Sequence, residues 1–258
     1  MTENGTLLDF AAEVGFQLQM AGGEIYRVEE SVKRLLAAYG AGHGEVFAIP
    51  NCLIVSVSNG EREVQTRIRR VGDHGTDIHR LEAVNALCRK LCREPVPLEE
   101  ARRELKELLA ATPRYPLWIR LLGYFTGAML FTFFFGGGLR DGLCAGLCGV
   151  LIGLGQALLG RLGATLFFRT ILCAAASAVL ALGLVRLGLG KSVDLVTIGA
   201  LMSLMPGVAL TNAIRDIMVG DMVSGISKLG EAVLVAIAIA LGTGLSLWLG
   251  QWLGGLGL

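Results

Sequence analysis

Beyond Pro116 the sequence runs in stretches of about 20 mainly apolar residues, the length a helix needs to cross a hydrocarbon core about 30 Å thick. Such stretches occur at residues 117–135, 142–159, 164–185, 193–210 and 232–253. Trp118, Tyr124, Trp248 and Trp252 lie near their ends, where interfacial aromatics belong. Before Leu117 the chain is rich in Glu and Arg. The overall 17% of charged residues, against about 25% in an average soluble protein, is therefore brought down by the second part alone. The expected fold is a multi-pass α-helical membrane protein of about five transmembrane helices (residues 116–258), preceded by a soluble α+β domain (residues 1–115).

The soluble part reads as two helices, a meander and two more helices. Leu7, Phe10, Ala11, Val14, Leu18 and Ala21 keep a helical period up to Gly22-Gly23. Ile25, Val28, Val32, Leu35, Leu36 and Tyr39 keep another up to Gly40. Residues 46–49 are a short strand candidate. Leu53, Val55 and Val57 alternate with smaller or polar residues, as do Val64, Thr66 and Ile68, with Asn59-Gly60 between them as a hairpin signal. Ile78, Leu81, Val84, Leu87 and Leu91 predict a helix with Thr76 as N-cap. Pro97 predicts the first turn of a last, heavily charged helix over 98–111.

A net charge of +1 gives no general case for nucleic acid. The first nine residues lack the basic-then-apolar order of a secretory signal. Most Lys and Arg, including Arg114, precede the first apolar stretch. The positive-inside rule then puts the N-terminal domain in the cytosol and the helices in the cytoplasmic membrane. Counting crossings places Arg140 and Asp141 in an outer loop, residues 215–228 inside and the C-terminus outside. Cys88/Cys92 and Cys144/Cys148 are i, i+4 pairs without further ligands, so the cysteines read as small reduced hydrophobes.

Small residues recur on helix faces. Gly142, Gly146, Gly149 and Gly153 share one face; Gly242, Ser246, Gly250 and Gly254 step by four; Gly123 and Gly127 do the same. In lipid such faces admit close backbone approach. They serve packing within this chain or against another subunit.

Residues 202–231 stand apart. Pro206-Gly207 interrupts an apolar helix after about a dozen residues and must break its hydrogen-bond ladder. In transporters such breaks form substrate sites, where a helix N-terminus faces an anion and freed carbonyls hold a cation. Thr211, Asn212, Arg215 and Asp216 follow on one helical face; Asp221, Ser224, Lys228 and Glu231 share a face of the next segment. Charges beside hydrocarbon are costly unless paired or facing a wet cavity. Arg215 is suited to grip a carboxylate, and Asp216 or Asp221 to carry a proton. The plainer alternative is surface charges pairing with one another. Asp73, His74, Asp77 and His79 are weak metal candidates at a loop and helix start, so no metal is expected. Glu24, Arg27, Glu29 and Glu30 read as a solvated helix face, and Arg120 and Arg169 as snorkelling side chains. No GxSxG, P-loop or HExxH occurs, so no catalytic residues and no cofactor are expected, and transport would run on an ion gradient.

The segments GGEIYRVEESVKRLLAAYG, IPNCLIVSVSNG and DIHRLEAVNALCRKL, together with LMPGVALTNAIRDIMVGDMVSGISKLGEA, resemble the threonine/serine exporter family over nearly the whole chain. Long members of that family have a cytosolic domain and about ten spans. A chain of about five spans is similar to its split form, in which a second, smaller membrane subunit supplies the remaining helices. One split pair is associated with succinate export. The resemblance thus implies a subunit of a secondary, proton-coupled exporter of threonine, serine or a dicarboxylate such as succinate. It implies Pro206, Gly207, Thr211, Asn212, Arg215, Asp216 and Asp221 as pathway residues, with the solute, a partner subunit and membrane lipid as partners. The other readings are a membrane-anchored enzyme with a hydrolase-like domain and a non-transporting sensor.

Overall fold

The alternating runs after the second helix form a small sheet in the computed structural model, which describes residues 3–41, 43–58, 64–72, 75–111 and 115–255. The chain divides into two compact units. One comprises Met1–Pro113 with Thr211–Leu229, the other Arg114–Leu210 with Gly230–Leu258.

In the first unit, helices α1 (Glu3–Met20) and α2 (Ile25–Ala38) precede strands β1 (His43–Ile49), β2 (Cys52–Ser58) and β3 (Val64–Arg70). Helices α3 (Ile78–Arg93) and α4 (Leu98–Ala111) follow. The sheet is an antiparallel meander in the order β1-β2-β3. The period of two along β2 buries Leu53, Val55 and Val57, opposite Ala48, Val46 and Gly44 of β1. These meet Val14 and Leu18 of α1 and Val28, Val32 and Leu36 of α2 in one core. Gly15 permits a close approach: a Cβ there would lie 2.7 Å from Leu53 Cδ2 and 2.8 Å from Val32 Cγ2. The Asn59-Gly60 hairpin signal lies outside the described residues. The N-cap of α3 is Asp77 rather than Thr76, since Asp77 Oδ1 accepts the Arg80 amide at 3.0 Å. A carboxylate also suits the positive end of the helix better than a hydroxyl. As expected, Pro97 opens α4, its carbonyl accepting from the Glu100 and Ala101 amides at 2.9 and 3.1 Å.

The second unit contains α5 (Leu117–Phe134), α6 (Leu139–Arg161), α7 (Leu166–Arg186), α8 (Val193–Leu201) and most of α10 (Met222–Gly255). The small face of α6 is used internally. Cβ atoms on Gly142 and Gly146 would lie 2.6 Å from Phe133 and Phe125 of α5, and one on Gly149 would lie 2.9 Å from Ala128 Cβ. Gly242 of α10 abuts Ala174 of α7 (3.1 Å for an added Cβ). By contrast, a Cβ on Gly123 or Gly127 of α5 would meet nothing within 4 Å.

Four helices among the described residues are long and apolar enough to cross a membrane: Leu117–Phe134, Leu139–Arg161, Leu166–Arg186 and Met222–Gly250. The expected crossing over 193–210 is divided, with α8 ending before the predicted break at Pro206. Helix α8 has 9 residues and is about 14 Å long, under half of the hydrocarbon thickness. The expected crossing over 232–253 begins ten residues earlier, because α10 is one 34-residue helix. Asp141, expected in a loop, lies in the first turn of α6 at 3% exposure. It accepts the Lys191 and Ser192 amides at 2.6 and 3.1 Å and so ties down the turn leading into α8.

Candidate functional site

The break at Pro206 is where the sequence demands it. Ser203, Leu204 and Met205 donate to Ala200, Leu201 and Met202 in tight i→i−3 turns. The Pro206 carbonyl then accepts the Leu210 amide at 2.9 Å and starts a new helix, α9 (Gly207–Val219). Proline has no N–H to offer the preceding ladder, so the backbone turns where that bond would have been.

Helix α9 ends in a Schellman motif. Gly220 has φ +103°, its amide donates to Ile217 O at 3.1 Å, and the Asp221 amide reaches back to Asp216 O at 2.9 Å. The chain reverses into α10, and Gly225 lets the two helices touch. A Cβ there would lie 2.9 Å from the Ala213 carbonyl oxygen and 3.0 Å from the Ile217 nitrogen, both backbone atoms.

This contact brings Asp216 of α9 to Lys228 of α10, with Nζ 2.8 Å from Oδ2. Asp216 is fully buried and Lys228 is 9% exposed. Ser224, one turn before Lys228 on the same face, is also buried. The second oxygen, Asp216 Oδ1, is buried and accepts no hydrogen bond among the described residues. A buried oxygen left without a donor is a polar cost that the fold carries at this point. The hairpin also exposes apolar side chains, among them Ile214, Met218, Met222, Val223 and Ile226.

Arg215 turns the other way and ion-pairs with Glu24, the N-cap residue of α2. Glu24 also holds Arg27 at 2.6 Å. Glu29, one turn along α2, accepts the Ala48 amide at 2.7 Å. Burial pushes the Glu29 carboxyl above the usual range; the nearby Asp221 carboxylate adds to the rise, while the Ala48 amide and Lys33 oppose it. The predicted residues therefore divide. Asp216 and Lys228 meet each other, Arg215 pairs with Glu24 of α2, and Asp221 acts on Glu29 of α2 through its charge. Thr211 is exposed and Asn212 half-buried on α9. Pro206, Gly207 and the exposed Glu231 belong to the second unit. Asp73 and His74 of the weak metal set lie outside the described residues, and Asp77 is occupied as the α3 cap.

Sequence spacing alone puts Glu24 and Glu29 on a solvated helix face. Their spacing fits an ordinary amphipathic helix, and no local signal connects Glu24 to a partner 191 positions away.

Residues 9–250 match the family described as "Putative threonine/serine exporter". A "Probable threonine/serine exporter" of Mycobacterium tuberculosis is 26% identical over 202 residues, which is 78% of this chain and 38% of that protein. "Pheromone-regulated membrane protein 10" of Candida albicans is 23% identical over 255 residues, 92% of this chain and 22% of that protein. The protein of the same name in Saccharomyces cerevisiae is 24% identical over 245 residues, 92% of this chain and 31% of that protein. The chain thus spans well under half the length of these curated relatives. No solved structure matches.

Proposed function

From the premise that the chain belongs to the threonine/serine exporter family, and so is a membrane-embedded transporter protein, we propose that it is a subunit of a secondary, proton-coupled exporter of small carboxylate-bearing metabolites. Threonine and serine, or a dicarboxylate such as succinate, are the candidate solutes. The observation that carries this reading is the buried Asp216–Lys228 pair with its unserved carboxylate oxygen, on a hairpin beside Arg215.

The charges suggest how the two events couple. A proton on Asp216 removes its attraction for Lys228 and leaves a buried ammonium without a partner. That state is relieved by opening the hairpin to water. Arg215, once released from Glu24, offers a planar fork to a solute carboxylate. Asp221 is a second proton carrier. The broken segment over 193–210 supplies the fifth crossing in a discontinuous form, and the part of the chain before residue 116 lies in the cytosol with the helices in the cytoplasmic membrane. A second, smaller membrane subunit covers the Gly123/Gly127 face of α5, where an added Cβ would meet nothing within 4 Å.

Efflux of Thr, Ser and succinate from proteoliposomes tests this reading. Arg215→Ala, Asp216→Asn and Asp221→Asn should abolish efflux while leaving the protein inserted. Unchanged efflux in all three removes the hairpin from the mechanism. Full activity from this chain alone would sink the second subunit.

A further inference from the structure

Helices α2 and α3 enclose a groove of about 580 Å³ on the first unit, distant in sequence from the hairpin residues. Its lining includes Arg27, Arg34, Arg89 and Arg93, with Ser31 and Asn85 between them. That volume is in the range of small-molecule sites. Two of the guanidiniums are answered from within the fold: Arg34 by Glu30 at 2.6 Å and Arg27 by Glu24 at 2.6 Å. Arg89 and Arg93 are not. They lie one turn apart on α3, a like-charge spacing that disfavours the helix, and neither has an ion pair or side-chain hydrogen bond among the described residues. Arg93 gains something from the negative end of α3, being in its last turn. Arg89, a turn earlier, gains little there.

The charges converge from both helices. The Cys88 thiol, which also lines the groove, feels Arg34 of α2 and Arg89 of α3. Burial outweighs both and pushes the thiol up to about 12, so it stays protonated and offers neither a nucleophile nor a soft metal ligand. What remains is a cluster of exposed forked donors in which Arg89 and Arg93 have no carboxylate partner among the described residues, flanked by a hydroxyl and an amide. A phosphate monoester or diphosphate group supplies negative charge on one compact centre with several acceptor oxygens, which a monocarboxylate does not.

We propose that the arginine-lined groove between α2 and α3 is a binding site for a phosphate-bearing ligand. The phosphate belongs to a soluble metabolite or to an anionic phospholipid headgroup. The site does not depend on the transport reading, because occupancy is read directly.

The test uses the full chain in phosphatidylcholine nanodiscs at low salt, titrated calorimetrically with pyrophosphate. Saturable one-site binding is expected. Arg89→Gln with Arg93→Gln should weaken it at least about tenfold, the loss expected for charge-assisted hydrogen bonds. Arg34→Gln should weaken it less, and Arg103→Gln on α4 should leave it unchanged. These side chains are exposed, so the fold survives; circular dichroism checks that. Nanodiscs containing phosphatidylglycerol separate the sources. Loss of pyrophosphate binding there, with phosphatidylglycerol retained by the wild type and shed by the double variant in native mass spectrometry, assigns the headgroup. Undiminished pyrophosphate binding assigns a soluble ligand. The proposal is overturned if neutral nanodiscs show no binding and phosphatidylglycerol retention is the same in wild type and double variant. Pyrophosphate affinity unaffected by the double substitution, or weakened as much by Arg103→Gln, overturns it equally.

Discussion

Removing Lys228 while leaving Asp216 should destabilise the protein far more than removing both charges. The two ions are 2.8 Å apart, Asp216 fully buried and Lys228 nearly so. At an effective dielectric of about 20 their attraction is about 6 kcal/mol, and taking each ion out of water costs several kcal/mol in return. The pair is therefore close to neutral as a whole, whereas either ion alone keeps the cost and loses the attraction. Lys228→Met should cost about 3–5 kcal/mol, as should Asp216→Asn, which strands the ammonium. The double variant should recover most of the loss, with a coupling energy of at least about 2 kcal/mol. Thermal unfolding in detergent reads this directly. At about 2–4 °C per kcal/mol, each single variant should melt about 6–20 °C below the wild type, and the double variant only a few degrees below. If the two single shifts add in the double variant, the ions are not a buried pair. The account of proton-driven hairpin opening then loses its basis.

Three further outcomes follow from the same geometry. Gly225→Val should force α9 and α10 apart, because its Cβ would meet the Ala213 carbonyl oxygen and Ile217 nitrogen, which cannot rotate away; a loss of about 1–3 kcal/mol in melting experiments is expected, together with loss of efflux. Because Glu29 has a raised folded-state pKa, the folded protein binds its proton more tightly than the unfolded chain does. That contribution is complete below the ordinary carboxyl range and is lost as pH rises through the raised value, so Glu29→Gln should flatten the stability profile above about pH 4.5, and an unchanged profile rejects the assignment. Gly123→Leu with Gly127→Leu should leave the isolated chain inserted and as stable as before, while preventing co-purification with a partner subunit; undiminished co-purification would show that the partner sits elsewhere.

Periodicity carried the elements that depend on neighbours in sequence. The period of two in Leu53, Val55 and Val57 and the helical periods before and after it were enough for the meander and its covering helices, because burial of one face is decided within a few residues. The same holds for the break at Pro206, where a missing N–H acts locally. Hydropathy alone failed at 193–210. It averages over the window and cannot see that a proline and a glycine divide it into a 9-residue helix, a turn and a second helix. It also missed that Asp141, charged and therefore assigned to a loop, is held inside α6 by backbone amides. The candidate site was legible as a list and not as an arrangement. Residues 211–231 stood out by carrying charge among apolar residues, yet nothing in their spacing showed that Arg215 turns to Glu24 while Asp216 turns to Lys228.

That arrangement constrains the proposed coupling further than the list did. Four cations, Arg27, Lys33, Arg215 and Lys228, act on four carboxyls, Glu24, Glu29, Asp216 and Asp221. With all groups ionised these charges balance, and Glu29, beside Asp221, is the member whose proton affinity burial raises. A solute carboxylate arriving at Arg215 would add an uncompensated negative charge. It must therefore displace Glu24 or bring a proton with it, since like charges this close cannot all stay ionised without cost. Glu24→Gln separates the two routes. If displacement dominates, the variant binds solute more tightly and its KM falls while kcat is little changed. If protonation dominates, the pH dependence of efflux shifts while KM at the optimum stays the same. A variant with neither change would place the solute carboxylate away from Arg215.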